Sequence, residues 1–319
     1  MHRVRWLLRF TSNTASATLA VDAFAGFEPL GSTTKFIAMI TSRDNRWLKQ
    51  FRAALRGTGP AADEPIGVEG AKLVEDGLRS GLAGEALLFS ESGEAAAGSI
   101  LAAAGESEAG ISRSRILKTT DKLFSQIAGT EAPQGVAALF RQPVWGLEDV
   151  LRGPGVMRER SPLVVVLAAV QDPGNVGTIV RSAEAFGATG IIASRGTADP
   201  WSPKAIRASA GAVFRLPLLR GMATPVLMAQ LRIAGVKIFA ASSHPQNNGS
   251  RSAGSEVAAN LQEPAALFIG NEGSGLPLDV TRSADAFIAV PMNENVESLN
   301  AGVAASIILY EAARARSQS

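Results

Sequence analysis

Cysteine is absent from this 319-residue sequence, and histidine occurs only at His2 and His244. The absence of cysteine excludes disulfide bonds, a cysteine nucleophile and thiolate metal ligands, and it fits a reducing compartment. Because the two histidines are far apart in sequence, a histidine-rich metal site is disfavoured, and a nucleophile triad could use only His244. We therefore expect no bound metal.

Long apolar runs are also missing. No window reaches the roughly 18–20 consecutive apolar residues that a membrane-spanning helix requires. Near the N-terminus, Arg9 interrupts the stretch WLLRF, whereas a secretory signal needs an unbroken apolar region. We expect a cytoplasmic protein that does not associate with membranes.

Several common active-site motifs do not occur. No G-x-G-x-x-G opens a helix after a first strand, which disfavours a dinucleotide site, and the lack of G-x-x-x-x-G-K-S/T excludes a P-loop. The H-E-x-x-H motif of zinc proteases and the G-x-S-x-G motif of serine hydrolases are missing as well. The chemistry must therefore come from other residue types.

Basic residues are concentrated near the start of the chain. The sequence has 31 Lys and Arg against 29 Asp and Glu, but within 39–60 the only acidic residue is Asp44. The basic residues of this segment are Arg43, Arg46, Lys49, Arg52 and Arg56. Such a helix-like segment is either a solvated surface or a patch that contacts phosphates.

Alternating strand-like and helix-like segments divide the chain into two α/β regions. Residues 39–145 predict a small α/β domain, and residues 162–319 predict a second one. Its first strand, 162–170, is apolar throughout, as in a mostly parallel sheet. Residues 146–161, with a proline between two glycines, are interpreted as a linker. Residues 1–38 are an extension that we expect to be poorly ordered, with a targeting peptide as the alternative.

Helical spacing in the second region predicts helices over 176–186, 203–214 and 297–315. Asn175 would be a suitable N-cap for the first of these helices, which is the simplest explanation of that residue. Taken alone, Arg181 would be a surface arginine. Each of these features is weak evidence for function when it is considered separately.

Polar residues recur after three strands of the predicted parallel sheet. The loops are 171–175, 270–276 and 291–302; all contain Asn, and two contain Glu. Ligands of open parallel sheets bind at the carboxyl ends of the strands, so these loops predict one shared site. A site with Asn, Gly, Glu and Ser but without His and Cys suits the binding and positioning of a ligand through polar contacts.

At these loops the chain resembles the SpoU (TrmH-like) branch of the SPOUT RNA methyltransferases. Three family motifs look like DPGNVGTIVRSAEAFGA (172–188), FIGNEGSGL (268–276) and VPMNENVESLNAGVAAS (290–306). The segment SPKAIRASAGAVFRLP (202–217) also resembles the family, so the match covers about 162–316. PIGVEGAKLVEDGLRSG and EAPQGVAALFR, in the first region, resemble a ribosomal-protein-like RNA-binding domain.

The resemblance implies a trefoil-knot catalytic domain, S-adenosylmethionine (AdoMet) as cofactor, a homodimer formed through the catalytic domain, and 2'-O-methylation of a ribose in RNA. Large-subunit (23S) rRNA is the expected substrate, because the additional N-terminal RNA-binding domain is commoner among the rRNA enzymes of the family. A tRNA ribose methyltransferase, a base methyltransferase and a catalytically inactive knotted RNA-binding protein are the alternatives.

The resemblance also implies roles for individual residues. A catalytic role is implied for Asn175, Arg181, Glu272, Ser298 and Asn300. Cofactor binding is implied for Phe268, Ile269, Gly270, Asn271, Gly273, Ile288, Val290, Pro291, Met292 and Leu299, with Leu299 closing over the adenine. RNA contacts are expected of Arg43, Arg46, Lys49, Lys204 and Arg207. The third motif departs from the family pattern at Glu294, where glycine is common.

Arg181 is the key catalytic position that the resemblance implies. Arginine stays protonated in proteins, which argues against a role as general base. We expect a cationic Arg181 that orients a phosphate or stabilises the forming alkoxide, with a phosphate oxygen as proton acceptor. Asn175 would position the ribose or Arg181, and Glu272 would fix the geometry of its loop.

Overall fold

The computed structural model describes residues 38–61, 63–104, 115–155, 161–242 and 261–317. These residues form two β-sheets, each covered by helices, which we call the N-terminal half and the C-terminal half. Both histidines and all but the last residue of the N-terminal extension lie outside the described residues. No helix within the described ranges is long and apolar enough to cross a membrane.

The N-terminal half contains a mixed five-stranded sheet. Its strands are β1 (Ala38–Ile40), β2 (Ile66–Glu69), β3 (Gly84–Ser90), β4 (Ile116–Thr119) and β5 (Val136–Phe140), and its helices are α1 (Arg46–Arg56), α2 (Ala71–Arg79), α3 (Glu94–Ala104) and α4 (Asp121–Ile127). The strand order is β1-β4-β3-β5-β2. Strands β1, β4 and β3 are parallel, and β5 is antiparallel to β3 and β2.

Helix α1 is amphipathic, as the sequence predicts. Leu48, Phe51 and Leu55 recur at helical spacing and are buried against the sheet. The side chain of Asn45 caps the helix by accepting a hydrogen bond from the Trp47 N–H at 2.9 Å. The exposed residues of the helix include Arg46, Lys49, Arg52 and Arg56. The basic side chains therefore lie at the surface.

The C-terminal half contains a six-stranded parallel sheet. Its strands are β6 (Leu163–Leu167), β7 (Gly190–Ser194), β8 (Leu218–Met222), β9 (Lys237–Ser242), β10 (Ala265–Ile269) and β11 (Ala286–Ala289), and its helices are α5 (Leu147–Arg152), α6 (Pro173–Ala185), α7 (Pro203–Ala208), α8 (Thr224–Ile233), α9 (Leu278–Ser283) and α10 (Ala301–Arg316). The order is β11-β9-β10-β6-β7-β8, with every pairing parallel. The mostly parallel sheet is confirmed.

Strands β6 and β10 lie side by side at the centre of this sheet, and the chain runs from β6 towards one edge through β7 and β8. Every residue of β6 and β10 is buried, because helices cover both faces. In such sheets, ligands bind where the order of the strands reverses, outside their carboxyl ends. The loops that follow β6 and β10 meet at that point.

Several local predictions are corrected by the structure. Asp172, not Asn175, is the N-cap of α6, so Asn175 lies within the first turn of that helix. The helix predicted over 203–214 is interrupted after Ala208, because Gly211 adopts a left-handed φ of 78° before a short 3-10 helix over Ala212–Phe214. The prediction did not include strand β8 or helix α9.

The segment interpreted as a linker, 146–161, is partly packed into the C-terminal half. It contains α5, whose Val150 is fully buried against residues of the parallel sheet. Apolar residues of the two halves also share one core cluster, in which Ile66 and Val68 of β2 join Trp201 and Phe214. The halves are therefore joined by direct packing as well as by the covalent chain.

Candidate active site

The loop after β10 is held in shape by Asn271. Its Oδ1 accepts hydrogen bonds from the N–H groups of Gly273 at 2.8 Å and Ser274 at 3.0 Å, and its backbone pairs with Gly275. Gly270 is required here, because a Cβ atom would lie 2.6 Å from the carbonyl carbon of Gly275. Asn271 therefore shapes the loop through its own hydrogen bonds.

The loop after β6 contains a residue in an unfavourable conformation. Ala169 has a φ of 61°, although it is not glycine. Its carbonyl accepts from Nδ2 of Asn271 at 3.2 Å, and its N–H donates to Oγ1 of Thr197 at 3.1 Å. Such strain persists where the surroundings hold it from several sides, which is common at functional sites. The two strand-end loops are thereby connected.

Three side chains form a continuous chain of hydrogen bonds at this sheet edge. Oδ1 of Asn300, the N-cap of α10, accepts from the N–H groups of Gly302 and Val303 at 2.9 and 3.3 Å. Its Nδ2 donates to Oδ1 of Asn175 at 2.9 Å, and Nδ2 of Asn175 donates to the carboxylate of Glu272. Because a carboxylate only accepts and a backbone N–H only donates, the direction of every bond is fixed.

Close packing of α6 against α10 aligns these hydrogen-bonded side chains. Ser182 and Ser306 are hydrogen-bonded at 2.6 Å between their hydroxyl oxygens. Gly302 lies against Thr178, where a Cβ atom would be 3.0 Å from the threonine Cγ2. Small residues at the contact let the helix backbones approach, and this sets the position of Asn175 relative to Asn300.

A cavity of about 320 Å³ lies between the loop after β10 and the N-terminal part of α10. It is lined by seven of the ten predicted cofactor residues, namely Ile269, Gly270, Asn271, Gly273, Val290, Met292 and Leu299, and by the predicted catalytic residues Glu272 and Ser298. The other lining residues are Ala241, Ser242, Ser274, Gly275, Leu276, Ala301, Ala304 and Ile308. Residues 274–276 and Ala301 lie in the predicted site loops, and Ala304 lies in the third motif. Ala241 and Ser242, at the end of β9, and Ile308, in α10, reach the cavity through the strand order and the packing of α10, which the sequence does not reveal.

Three predicted cofactor residues do not line this cavity. Phe268 and Ile288 are buried in the core, and Pro291 is exposed. Asn175 and Asn300 adjoin the lining through Glu272 but are not part of it.

Arg181 is not part of the hydrogen-bonded chain. Its side chain is exposed, and it has no hydrogen-bond or ion-pair partner among the described residues. It lies on α6 six positions after Asn175, so about 9 Å separates the two along the helix axis. Ser298 is exposed at the cavity and makes no hydrogen bond to Asn175, Glu272 or Asn300.

Lys204, which is predicted to contact RNA, pairs with Asp172, the N-cap of helix α6. Its Nζ lies 2.6 Å from Oδ1 of Asp172, and that carboxylate also accepts from the Gly174 N–H at 3.2 Å. The hydrogen bond from Lys204, followed by that from Gly174, lowers the pKa of Asp172. Arg207 is exposed on the same short helix, α7.

The three N-terminal RNA candidates are exposed at the start of α1. Lys49 lies 3.7 Å from Asp44, and the Arg46 guanidinium lies 5.5 Å from the centre of the Trp47 ring. Arg43 is exposed in the preceding turn. Their side chains are therefore available to phosphates.

Glu294 is accommodated without backbone strain. It is exposed in a turn closed by the hydrogen bond from the Val296 N–H to the Asn293 carbonyl at 2.9 Å. Within the described residues, Ala169 and Ala210 are the non-glycine residues with positive φ. This turn therefore has no requirement for glycine at position 294.

The arrangement suits the binding and alignment of a ligand. The glycine loop presents backbone groups, α10 contributes apolar side chains, and the amide–carboxylate chain fixes polar atoms beside them. Among the described residues, no group of three or more His, Asp or Glu side chains could hold a metal ion.

Comparison with known proteins identifies the family. The model of the SpoU rRNA Methylase family matches residues 162–310. A Bacillus subtilis (strain 168) protein, 23S rRNA (guanosine(2553)-2'-O)-methyltransferase RlmP, is 31% identical over 244 residues, which are 76% of this chain and 86% of that protein. The chain belongs to the SpoU rRNA methylase family. The SpoU match contains Asn175, Arg181, Glu272 and Asn300.

Further similarities extend beyond the SpoU domain. A model of the MRM3-like substrate binding domain matches residues 63–138 of the N-terminal half. The 23S rRNA (uridine(2479)-2'-O)-methyltransferase of Streptomyces viridochromogenes is 34% identical over 205 residues, 63% of this chain and 68% of that protein. The chain is thus a SpoU-family methyltransferase with an additional N-terminal α/β region.

Solved structures of methyltransferases share the fold. The AdoMet-bound rRNA methyltransferase from Sinorhizobium meliloti matches with a TM-score of 0.68 and 32% identity, over 87% of this chain and 98% of that chain. The SpoU methyltransferase AviRb from Streptomyces viridochromogenes in complex with AdoMet matches with a TM-score of 0.68 and 26% identity, over 86% and 100% of the two chains. The SPOUT α/β fold class is confirmed.

Proposed function

We propose that this chain transfers the methyl group of AdoMet to a ribose 2'-hydroxyl of large-subunit rRNA. The hydrogen-bonded chain from Asn300 through Asn175 to Glu272 carries the proposal, because it fixes polar groups between the cavity and the start of α6. Two relatives that are named as 23S rRNA 2'-O-methyltransferases support this choice of substrate.

The cavity fits AdoMet in size and in lining. Ligand pockets span about 300–1,000 Å³, and this one has about 320 Å³. Leu299, Ala304 and Ile308 offer apolar walls for an adenine ring, while the backbone of 270–275 offers polar groups. When bound, AdoMet supplies a methyl group on a positively charged sulfur.

The protein side chains would align the ribose and stabilise charge. In-line transfer needs the ribose oxygen to be held in line with the methyl group, and alignment can contribute several kcal/mol, up to about 7–11. One amide hydrogen of Asn175 is used by Glu272, so the second can donate to a ribose or phosphate oxygen. Arg181 would hold a phosphate whose oxygen takes the hydroxyl proton, or would stabilise the alkoxide as it forms. Ser298 would contact the ligand from the cavity wall.

The N-terminal half would bind the RNA. In this proposal residues 39–145 are the RNA-binding domain and 162–319 the methyltransferase domain, with 1–38 as an extension and 146–161 as a linker. Arg43, Arg46, Lys49 and Arg207 would contact phosphates, and Lys204 would do so beside its pairing with Asp172. The trefoil knot stays a prediction from the resemblance.

A second copy of the chain would cover an apolar stripe on α10. Val303, Ile307 and Tyr310 follow one another at helical spacing and are 47%, 39% and 53% exposed. Exposed apolar stripes of this kind are typical of protein interfaces. We therefore propose a homodimer through the C-terminal half, and expect Ile307→Glu to yield a monomer in light scattering after size exclusion.

The function is tested by mapping ribose methylation. RNA from a strain that lacks the gene should miss one 2'-O-methyl mark in large-subunit rRNA, and the purified protein with AdoMet should restore it. A missing mark in tRNA would contradict the substrate, and the absence of AdoMet binding in calorimetry would contradict the enzyme function.

A further inference from the structure

The two halves are joined by a polar cluster of Asp199, Arg220 and Gln142, which we call the junction cluster. Arg220, on β8, donates from Nη1 to the Asp199 carboxylate and from Nη2 to Oε1 of Gln142 at 2.5 Å. Gln142, which follows β5, donates through Nε2 to the Glu64 carbonyl at 2.5 Å and to the Ala61 carbonyl. One guanidinium thus connects the C-terminal sheet to the segment between α1 and β2.

The junction cluster is partly buried. The side chains of Arg220 and Asp199 are 27% and 21% exposed. Asp199 also accepts from the Trp201 N–H at 2.9 Å, and a Cβ atom on Gly59 would lie 2.6 Å from the Asp199 Cβ. The segment after α1 is therefore in direct contact with the cluster.

Apolar packing between the halves contributes burial, but the hydrophobic effect itself is not directional. Relative motion of two packed domains is the usual behaviour unless their interface is large and hydrophobic. The planar arginine fork, by contrast, bonds two partners in fixed directions. The junction cluster therefore supplies the directional contacts across the halves.

The orientation of the halves determines where bound RNA lies. Helix α1, with its exposed Arg46, Lys49 and Arg52, contacts α7, as does β2. On α7, Lys204 is paired with Asp172 at the start of the site helix α6. A rotation between the halves would therefore move the basic face of α1 relative to Asn175.

We propose that Arg220, through Asp199 and Gln142, is a positioning residue that holds the N-terminal half so that RNA bound by α1 reaches the site at Asn175. This role rests on the RNA methyltransferase function proposed above. Arg220 itself would contact neither RNA nor cofactor.

Gln142→Leu tests this role, because it removes the hydrogen bond from Arg220 to the N-terminal half and leaves the Arg220–Asp199 pair in place. Arg220→Lys, which keeps Asp199 paired but cannot span both partners, should behave in the same way. Gln262→Leu is the matched control, since Gln262 donates one hydrogen bond, to the Ala315 carbonyl at 2.9 Å, within the C-terminal half.

The relative orientation of the two halves can be measured independently of methyltransferase activity. The chain lacks cysteine, so Ala53→Cys on α1 and Ala229→Cys on α8, both exposed, can carry one spin label on each half. Diluting the labelled protein with unlabelled chain confines the measured distances to single molecules. The labels report the distribution of distances between the halves.

We expect Gln142→Leu to broaden the label distance distribution and to raise the KM for RNA about tenfold, with kcat and the AdoMet Kd within about twofold. Gln262→Leu should change none of these quantities. The proposal would be overturned if Gln142→Leu left the label distance distribution unchanged, or if it broadened the distribution without raising the KM for RNA. An equal rise in KM in the Gln262→Leu control would also overturn it. Absence of transferase activity in the wild-type protein would instead contradict the proposed function. In that case the label distances would still show whether the junction cluster fixes the relative orientation of the two halves.

Discussion

Nδ2 of Asn300 donates a hydrogen bond to Oδ1 of Asn175 at 2.9 Å, across 125 positions of sequence. Asn300→Asp keeps the oxygen that caps α10 but replaces this donor with a second acceptor, so two oxygens would face each other. We expect kcat for RNA methylation to fall about 10²-fold while the fold is kept, as measured by methyl transfer and circular dichroism. Asn45→Asp, at the N-cap of α1, is the control; equal activity of both variants would contradict the role of this bond.

Arg181→Lys tests the requirement for a planar guanidinium. Lysine keeps the charge but lacks the fork that holds two oxygens of a phosphate. We expect kcat to fall about 10²-fold with little change in AdoMet binding by calorimetry. Near-wild-type turnover of this variant would show that a positive charge alone is sufficient.

Asp172 should make stability depend on pH. The hydrogen bond from Lys204 lowers the pKa of Asp172 in the folded protein, so its contribution is present above the unfolded pKa, about 3.9, and is lost as the pH falls through the folded pKa. We expect Asp172→Asn to reduce the dependence of the urea midpoint on pH in this acidic range. Asp63→Asn, at an exposed turn residue, should leave that dependence as in the wild type.

Removing Arg220 should destabilise the protein. Burial raises the pKa of Asp199 against the opposing effect of Arg220, so Arg220→Met would leave an unpaired, partly buried carboxylate. We expect a loss of about 3 kcal/mol in the free energy of unfolding, measured by urea titration near neutral pH. The loss should become smaller at lower pH, because protonation of Asp199 removes the buried charge.

Arg215→Met is the control for that experiment. Arg215 pairs with Glu184 through two nitrogens, but the two side chains are 39% and 29% exposed. We expect a loss of at most about 1 kcal/mol. Equal losses in both variants would contradict the view that Asp199 depends on Arg220.

The sequence predicted many helices and strands well, because their buried apolar residues recur at a regular spacing. The uninterrupted apolar run before Asp172 became β6, and the spacing of Leu48, Phe51 and Leu55 became the buried face of α1. The prediction was wrong where one local feature outweighs this spacing. Gly211 ends a helix that its apolar neighbours favoured.

The sequence indicated which residues belong to the site but not which hydrogen bonds join them. Motif resemblance gave Asn175, Glu272 and Asn300, yet it did not show that one hydrogen-bonded chain joins them or that Asp172 takes the role of N-cap. These facts depend on strand order and on the packing of α6 against α10, for which a single sequence has no signal. The junction cluster around Arg220 was missed for the same reason.

The contact between Asn175 and Asn300 also bears on the synthesis of the protein. Helix α6, which bears Asn175, is synthesised before Asn300, which lies 125 positions after Asn175, completes the amide–carboxylate chain and caps α10. Domains fold as units during translation, from the N-terminal end. If the basic first helix contacts RNA as proposed, a nascent chain would present that helix before its pocket for the methyl donor is complete. Capacity for catalysis would then arise only when the last helix docks.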